Sequence, residues 1–121
     1  MCIRDRTNAG VCLMMVPDNK RAEEYFRLAL KKQSEYAPAL LQMGMISFTT
    51  GNYLSTRAYL QRYQSVADPT AESLWLAVRT EFALKDHQAW GNYALTLKNQ
   101  FPDSEQYLLL QEWENERRSG N

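Results

Sequence analysis

The stretch that decides the fold is residues 37–63, APALLQMGMISFTTGNYLSTRAYLQRY. Its apolar residues recur at helical spacing on both sides of a central Gly51-Asn52 pair, and no period-two alternation interrupts them. Gly and Asn both favour tight turns. The stretch therefore predicts two helices joined by a short turn, and the same pattern on either side predicts an all-α chain.

This helical hairpin recurs along the chain. Gly10 and Gly44 lie one period of the tetratricopeptide repeat (TPR) apart, a period of about 34 residues. A third copy aligns when one inserted residue is assumed before it. The residues that then match the repeat pattern are Trp75, Val78, Phe82, Gly91 and Leu95. The sequence thus predicts a right-handed superhelical TPR solenoid of antiparallel helix pairs with a C-terminal capping helix.

The predicted domain organisation follows this period. Residues 7–121 form one TPR domain, with repeats at about 7–36, 37–70 and 71–102 and a capping helix at about 103–118. Helices are expected at 7–15, 19–33, 38–50, 53–66, 71–84, 87–100 and 104–117. Asp103 and Gln106 resemble a capping box for the last helix. Residues 1–6 match nothing in the pattern and are interpreted as a non-native scar.

Small and aromatic residues at fixed repeat positions predict where helices pack together. A glycine inside a helix costs about 1 kcal/mol relative to alanine, so its presence indicates a neighbouring helix that approaches too closely for a Cβ atom. The residues interpreted as repeat-packing residues are Gly10, Ala22, Gly44, Ala58, Trp75 and Gly91.

Composition and charge argue against two classes of partner. The 14 basic residues balance the 14 acidic residues, so no positive field favours nucleic acid. The longest apolar run, residues 11–16, is far shorter than the roughly 20 residues of a membrane-spanning helix.

The sequence contains no recognisable pattern for catalysis or metal binding. Cys2 and Cys12 have no further Cys or His at metal-ligand spacing, and the only histidine, His87, is expected at a helix start in a surface or capping role. The five glycines form no phosphate-binding loop. We therefore expect no enzymatic activity, no metal and no cofactor.

A stack of repeats offers a concave surface lined by the first helix of each pair. The helical register predicts a partner-binding groove formed by Val11, Met14, Leu41, Met45, Phe48, Leu76, Thr80 and Ala83. Such an apolar, methionine-containing groove suits an amphipathic peptide or helix. The alternative is that part of this surface is core between repeats.

Beyond the generic repeat, three parts of the chain resemble one family. They are AEEYFRLAL at 22–30, YLSTRAYLQRY at 53–63, and SLWLAVR at 73–79 followed by FPDS at 101–104. Together they resemble the type IV pilus biogenesis and stability lipoproteins, the PilF/PilW-type secretin pilotins, from about Thr7 to the end of the chain.

This resemblance implies an outer-membrane lipoprotein whose repeats lie in the periplasm and help secretin subunits to reach the membrane and multimerise. The implied partner is a secretin subunit or another pilus assembly component. Membrane attachment would run only through an N-terminal lipid anchor, expected outside this chain because Cys2 lacks the apolar context of a lipidation site. Self-association through repeat edges is a further expectation. The alternative function is a generic TPR adaptor or co-chaperone for an apolar peptide or helix in another envelope or cytosolic complex.

Overall fold

The computed structural model describes residues 19–119, and the described residues form six α-helices and no β-strand. Each predicted helix in this range begins and ends within two residues of its observed bounds, whereas the helix predicted at 7–15 lies outside the described residues. The observed helices are α1 (Asn19–Lys32), α2 (Ala37–Thr49), α3 (Tyr53–Val66), α4 (Ala71–Ala83), α5 (His87–Gln100) and α6 (Glu105–Ser119).

The helices recur with a constant spacing that equals the TPR period. The first residues of α1, α3 and α5 are Asn19, Tyr53 and His87, and α2 and α4 begin at Ala37 and Ala71. The last residues of these helices keep the same spacing. No residue is therefore inserted between the second and third repeats, and the predicted insertion is wrong.

The chain divides into two compact units at residues 67 and 68, which are described separately. In the first unit α1 packs against α2, and α2 packs against α3. The central helix α2 is buried on nearly all sides, whereas α3 buries one stripe at helical spacing. The stripe consists of Thr56, Leu60 and Tyr63.

In the second unit α4 and α5 pack against each other, and α6 packs against both. Their shared core consists of Leu74, Val78, Ala94, Leu97 and Leu110. The last helix thus covers the α4–α5 pair, as a capping helix would. The expectation that all repeats belong to one domain stays a prediction.

The turns inside the two hairpins adopt the same left-handed backbone. Gly51 has a φ of 82°, and Lys85, which occupies the equivalent position of the next repeat, has a φ of 64°. Glycine adopts this conformation without steric cost, whereas a lysine side chain is strained there. Both hairpins therefore contain a left-handed turn residue. In the second hairpin this residue is a lysine, which disfavours the left-handed conformation.

Side-chain caps fix the starts of the helices in the second unit. Thr70 and Ser73 form a reciprocal capping box at α4, and the Asp86 carboxylate accepts a hydrogen bond from the Ala89 N–H at α5, at 3.1 Å. At α6 the Ser104 hydroxyl accepts from the Tyr107 N–H at 3.0 Å. The cap of α6 is therefore Ser104 and not the predicted Asp103, and the predicted capping box is wrong.

Candidate partner-binding surface

The accessible face of α2 carries two of the predicted groove residues. Met45 and Phe48 are half-buried, so each retains apolar surface that a partner could cover. The Phe48 ring meets the Tyr53 ring edge to face, with ring centroids 5.3 Å apart. Leu41 is only 8% exposed and belongs to the core, which corrects its assignment to the groove.

The groove residues predicted on α4 are displaced by one position. Leu76 and Thr80 are 2% and 0% exposed, so they are core residues and not groove residues, and Ala83 is half-buried. The prediction assumed one inserted residue before the third repeat. Because a shift of one residue rotates a position by about 100° around the helix axis, the predicted residues face the core. With the observed spacing, the positions equivalent to Leu41, Met45 and Phe48 are Trp75, Arg79 and Phe82, all half-buried. The remaining groove residues, Val11 and Met14, lie outside the described range.

The accessible face of α4 is cationic and aromatic, whereas an apolar face was predicted. The Arg79 guanidinium carbon lies 5.0 Å from the centroid of the Trp75 ring, a cation–π contact. The Arg79 Nε also donates a hydrogen bond to the Trp75 carbonyl at 3.4 Å. Burial lowers the pKa of the Arg79 guanidinium, but an arginine stays charged in proteins.

Next to this face three aromatic rings from three helices form what we name the aromatic corner: Phe82 of α4, Trp90 of α5 and Trp113 of α6. The centroid of Phe82 lies 5.9 Å from that of Trp90 and 4.8 Å from that of Trp113, and the centroids of the two tryptophans are 5.5 Å apart. The angles between the ring planes are 79°, 87° and 80°. The planes of the three rings are therefore nearly perpendicular to one another.

A guanidinium group occupies the aromatic corner. The Arg117 guanidinium carbon lies 4.9 Å, 5.4 Å and 5.1 Å from the centroids of Phe82, Trp90 and Trp113. Sequence reasoning missed this site because the four residues come from three helices. No local pattern in the sequence could have found it, because Phe82, Trp90 and Trp113 become neighbours only after folding.

The predicted repeat-packing residues have different outcomes. Gly44 is buried and Ala22 is half-buried, whereas Ala58 is exposed. A Cβ atom at Gly91 would meet no heavy atom within 4 Å, so the close helix approach predicted there is wrong. Trp75 packs against the core of the second unit, and Gly10 lies outside the described residues.

In the second helix of a tetratricopeptide repeat, one position usually has a small residue. In this chain that position is Thr56 in the second repeat and Trp90 in the third, one repeat period later. Thr56 is fully buried, and its hydroxyl donates to the Asn52 carbonyl at 3.0 Å, which satisfies the buried polar group. The equivalent Trp90 is half-buried and belongs to the aromatic corner. Gly91 directly follows Trp90, so its assignment contains the same one-residue error of register.

A second surface feature lies on the first unit, where α1 and α3 line an open depression. Its residues are Glu24, Arg27, Leu28, Leu30, Lys31, Tyr59 and Arg62. The Arg62 guanidinium donates to the Ser34 carbonyl at 3.0 Å, and Arg27 forms an ion pair with Glu23. The hydrogen bond to Glu23 raises the pKa of Arg27.

The described residues contain no group of three His, Cys, Asp or Glu side chains that could hold a metal ion. His87 is exposed, and its Nδ1 atom accepts a hydrogen bond from the Trp90 indole N–H at 3.3 Å. Within residues 19–119 no helix is both long and apolar enough to cross a membrane.

Comparison with known proteins shows one consistent likeness, although no family model matches the chain. The type IV pilus assembly protein PilF of Pseudomonas aeruginosa is 26% identical over 104 residues, which are 86% of this chain and 41% of PilF. The chain therefore spans less than half the length of this relative.

Two solved structures share the fold. A structure of P. aeruginosa PilF has a TM-score of 0.74 and 25% identity, and covers 87% of this chain and 47% of its own. The crystal structure of PilW, described as a widely conserved type IV pilus biogenesis factor, has a TM-score of 0.74 and 27% identity, over 86% of this chain and 48% of its own. By its helix pairs and these likenesses, the chain has an all-α tetratricopeptide-repeat fold and is similar to PilF and PilW.

Proposed function

We propose that this chain is part of a non-catalytic protein–protein interaction scaffold in type IV pilus biogenesis, which assists the outer-membrane secretin in localisation and multimerisation. The observation that carries the proposal is the likeness to PilF and PilW, which extends over 86–87% of the chain in sequence and in fold. The names of both relatives refer to type IV pilus assembly or biogenesis.

In this proposal the protein is a pilotin, a lipoprotein held by an N-terminal lipid anchor at the periplasmic face of the outer membrane. A secretin subunit, or another pilus assembly component, is the protein partner. Binding shields an apolar segment of the partner until assembly, and no covalent bond is made or broken.

The proposed binding surface in the first unit is centred on Met45 and Phe48. Both side chains are partly accessible on a helix that is otherwise buried on nearly all sides. A methionine side chain adapts its shape to different apolar partners, and an aromatic ring supplies a large contact area. This pair is therefore suited to an apolar helix or peptide of the partner.

A pair of variants tests this surface. In Met45→Glu/Phe48→Glu two charges replace the apolar surface, and we expect capture of the secretin subunit to fall at least tenfold while the helical circular dichroism signal is retained. The matched control is Ser55→Glu/Gln61→Glu, which adds the same two charges at exposed positions of α3 and should capture secretin like the original chain. Loss of the helical signal in the first variant would instead assign both residues to the core.

A chimera tests the role in pilus biogenesis. The segment of P. aeruginosa PilF that aligns with this chain is replaced by it, and secretin multimers are measured in the outer membrane of cells that lack PilF. The chimera should restore multimers, and the chimera with Met45→Glu/Phe48→Glu should not. If a folded, membrane-anchored chimera restores none, the generic TPR adaptor is the better interpretation. Sedimentation of the purified chain tests self-association.

A further inference from the structure

The aromatic corner in the second unit is a built site that already holds a cation. We propose that it is a recognition site for an arginine side chain of a partner protein, and that Arg117 occupies it as an internal competitor in the free chain. This inference goes beyond the proposed pilus role and does not depend on it.

The geometry of the corner matches the electronic structure of a guanidinium. An aromatic ring is electron-rich on its face, and a cation is attracted when it lies over that face within about 6 Å of the centroid. The Arg117 guanidinium carbon satisfies this distance for all three rings at once, at 4.9 to 5.4 Å. A planar, weakly hydrated guanidinium also gives up less solvation than an ammonium when it enters such a site.

The rings are held in place by groups other than the cation. Trp90 and Trp113 both pack against the core cluster of the second unit, and the Trp90 indole N–H is fixed by its hydrogen bond to His87. The Phe82 ring contacts both indoles edge to face. The site is therefore preformed, and removal of Arg117 leaves its three walls supported.

The occupant belongs to a terminal turn, a part of a helix that can open separately from the core. Arg117 is exposed and lies in the last turn of α6, which ends at Ser119. Terminal turns of helices open at low free-energy cost, so Arg117 can leave the corner while the rest of α6 stays packed. An arginine from a partner then finds the same three ring faces that Arg117 has left.

The location of the tryptophans makes this proposal measurable. Of the three tryptophans in the chain, two are walls of the corner, and the third, Trp75, has its ring centroid 6.2 Å from that of Trp113. Intrinsic tryptophan fluorescence of the full chain therefore reports on the corner and its immediate neighbour. The probe is N-acetyl-arginine amide, and N-acetyl-citrulline amide is its uncharged counterpart of the same shape.

The first experiment titrates three proteins with the two probes. Arg117→Ala should bind the arginine probe at least fivefold more tightly than the original chain, because its internal competitor is gone. The matched control Arg118→Ala removes the neighbouring exposed arginine of the same helix and should behave like the original chain. The proposal is overturned if Arg117→Ala shows no gain, if Arg118→Ala shows the same gain, or if the citrulline probe binds equally well.

The second experiment needs no variant, and so stands even if Arg117→Ala fails to fold. The three rings shift the side-chain proton resonances of Arg117 in the nuclear magnetic resonance spectrum, and excess arginine probe should move these resonances toward their random-coil positions. The citrulline probe should leave them unchanged. Resonances that stay fixed under excess arginine probe would overturn the proposal, and displacement by an N-acetyl-lysine amide probe at equal concentration would overturn its preference for arginine.

Discussion

The hairpins α2–α3 and α4–α5 have the same helix lengths, the same spacing and the same left-handed turn, yet they are completed in different ways. In the first hairpin the small repeat position is Thr56, which is fully buried and satisfies its hydroxyl on its own helix. In the second hairpin that position is Trp90, whose ring packs against Trp113 of α6. The repeat period of the backbone is thus the same whether the side chain at this position is small or large.

This difference shows what each hairpin requires from its neighbour. A buried threonine occupies little volume and is satisfied locally, so it needs nothing beyond the helices around it. A tryptophan exposes a large apolar ring unless another element covers it, and α6 supplies that cover with an aromatic residue of its own. The second hairpin is therefore expected to depend more strongly on its third helix.

The largest expected effect comes from removing that cover. Trp113→Ala deletes the ring that contacts Trp75, Phe82 and Trp90, and we expect the free energy of unfolding to fall by about 3 kcal/mol. Tyr53→Ala, whose ring meets that of Phe48 in the first hairpin, should cost less, about 1.5 kcal/mol. Urea unfolding followed by circular dichroism measures both, and equal losses would contradict the comparison.

A smaller difference is expected at the starts of α3 and α5. The Asp86 carboxylate caps α5, whereas Asn52 makes no side-chain cap at α3. Asp86→Ala should lower the free energy of unfolding by about 1 kcal/mol, and Asn52→Ala should lower it by less than half as much. Thermal unfolding of the two variants side by side tests this, and the reverse order would show that the cap geometry does not decide stability.

The smallest expected effect concerns the turns. Lys85→Gly removes the strain of a left-handed lysine and should raise the free energy of unfolding by about 0.5 kcal/mol, since the greater flexibility of glycine in the unfolded chain offsets part of the gain. Gly51→Lys places the same strain in the first hairpin and should destabilise it by about 1 kcal/mol. Differential scanning calorimetry compares the midpoints, and a loss of stability in Lys85→Gly would contradict the turn analysis.

The helix bounds are predictable from the sequence because apolar spacing and turn residues act locally. Pro38, Gly51 and Asp86 each mark a helix start or turn that the structure contains. These signals do not depend on tertiary contacts. The all-α fold and its repeat can therefore be recognised by starting from a single helical hairpin.

The site is predictable only in part because its residues depend on register. The third repeat has Val78 where the second has Gly44, and without that glycine the alignment slips by one residue. The slip moves the predicted surface from Trp75 and Arg79 to the buried Leu76 and Thr80. The aromatic corner is not predictable at all, because no local pattern links Phe82, Trp90 and Trp113 across three helices.

The constant spacing of the helices also has a consequence for how such a chain can evolve. If a segment one repeat period long were deleted or duplicated anywhere between residues 19 and 100, the residues joined at the seam would hold equivalent positions in neighbouring repeats. Every helix would then keep its full length, and each turn inside a hairpin would keep its left-handed residue. Unequal recombination within the gene can therefore change the number of repeats without breaking a single helix.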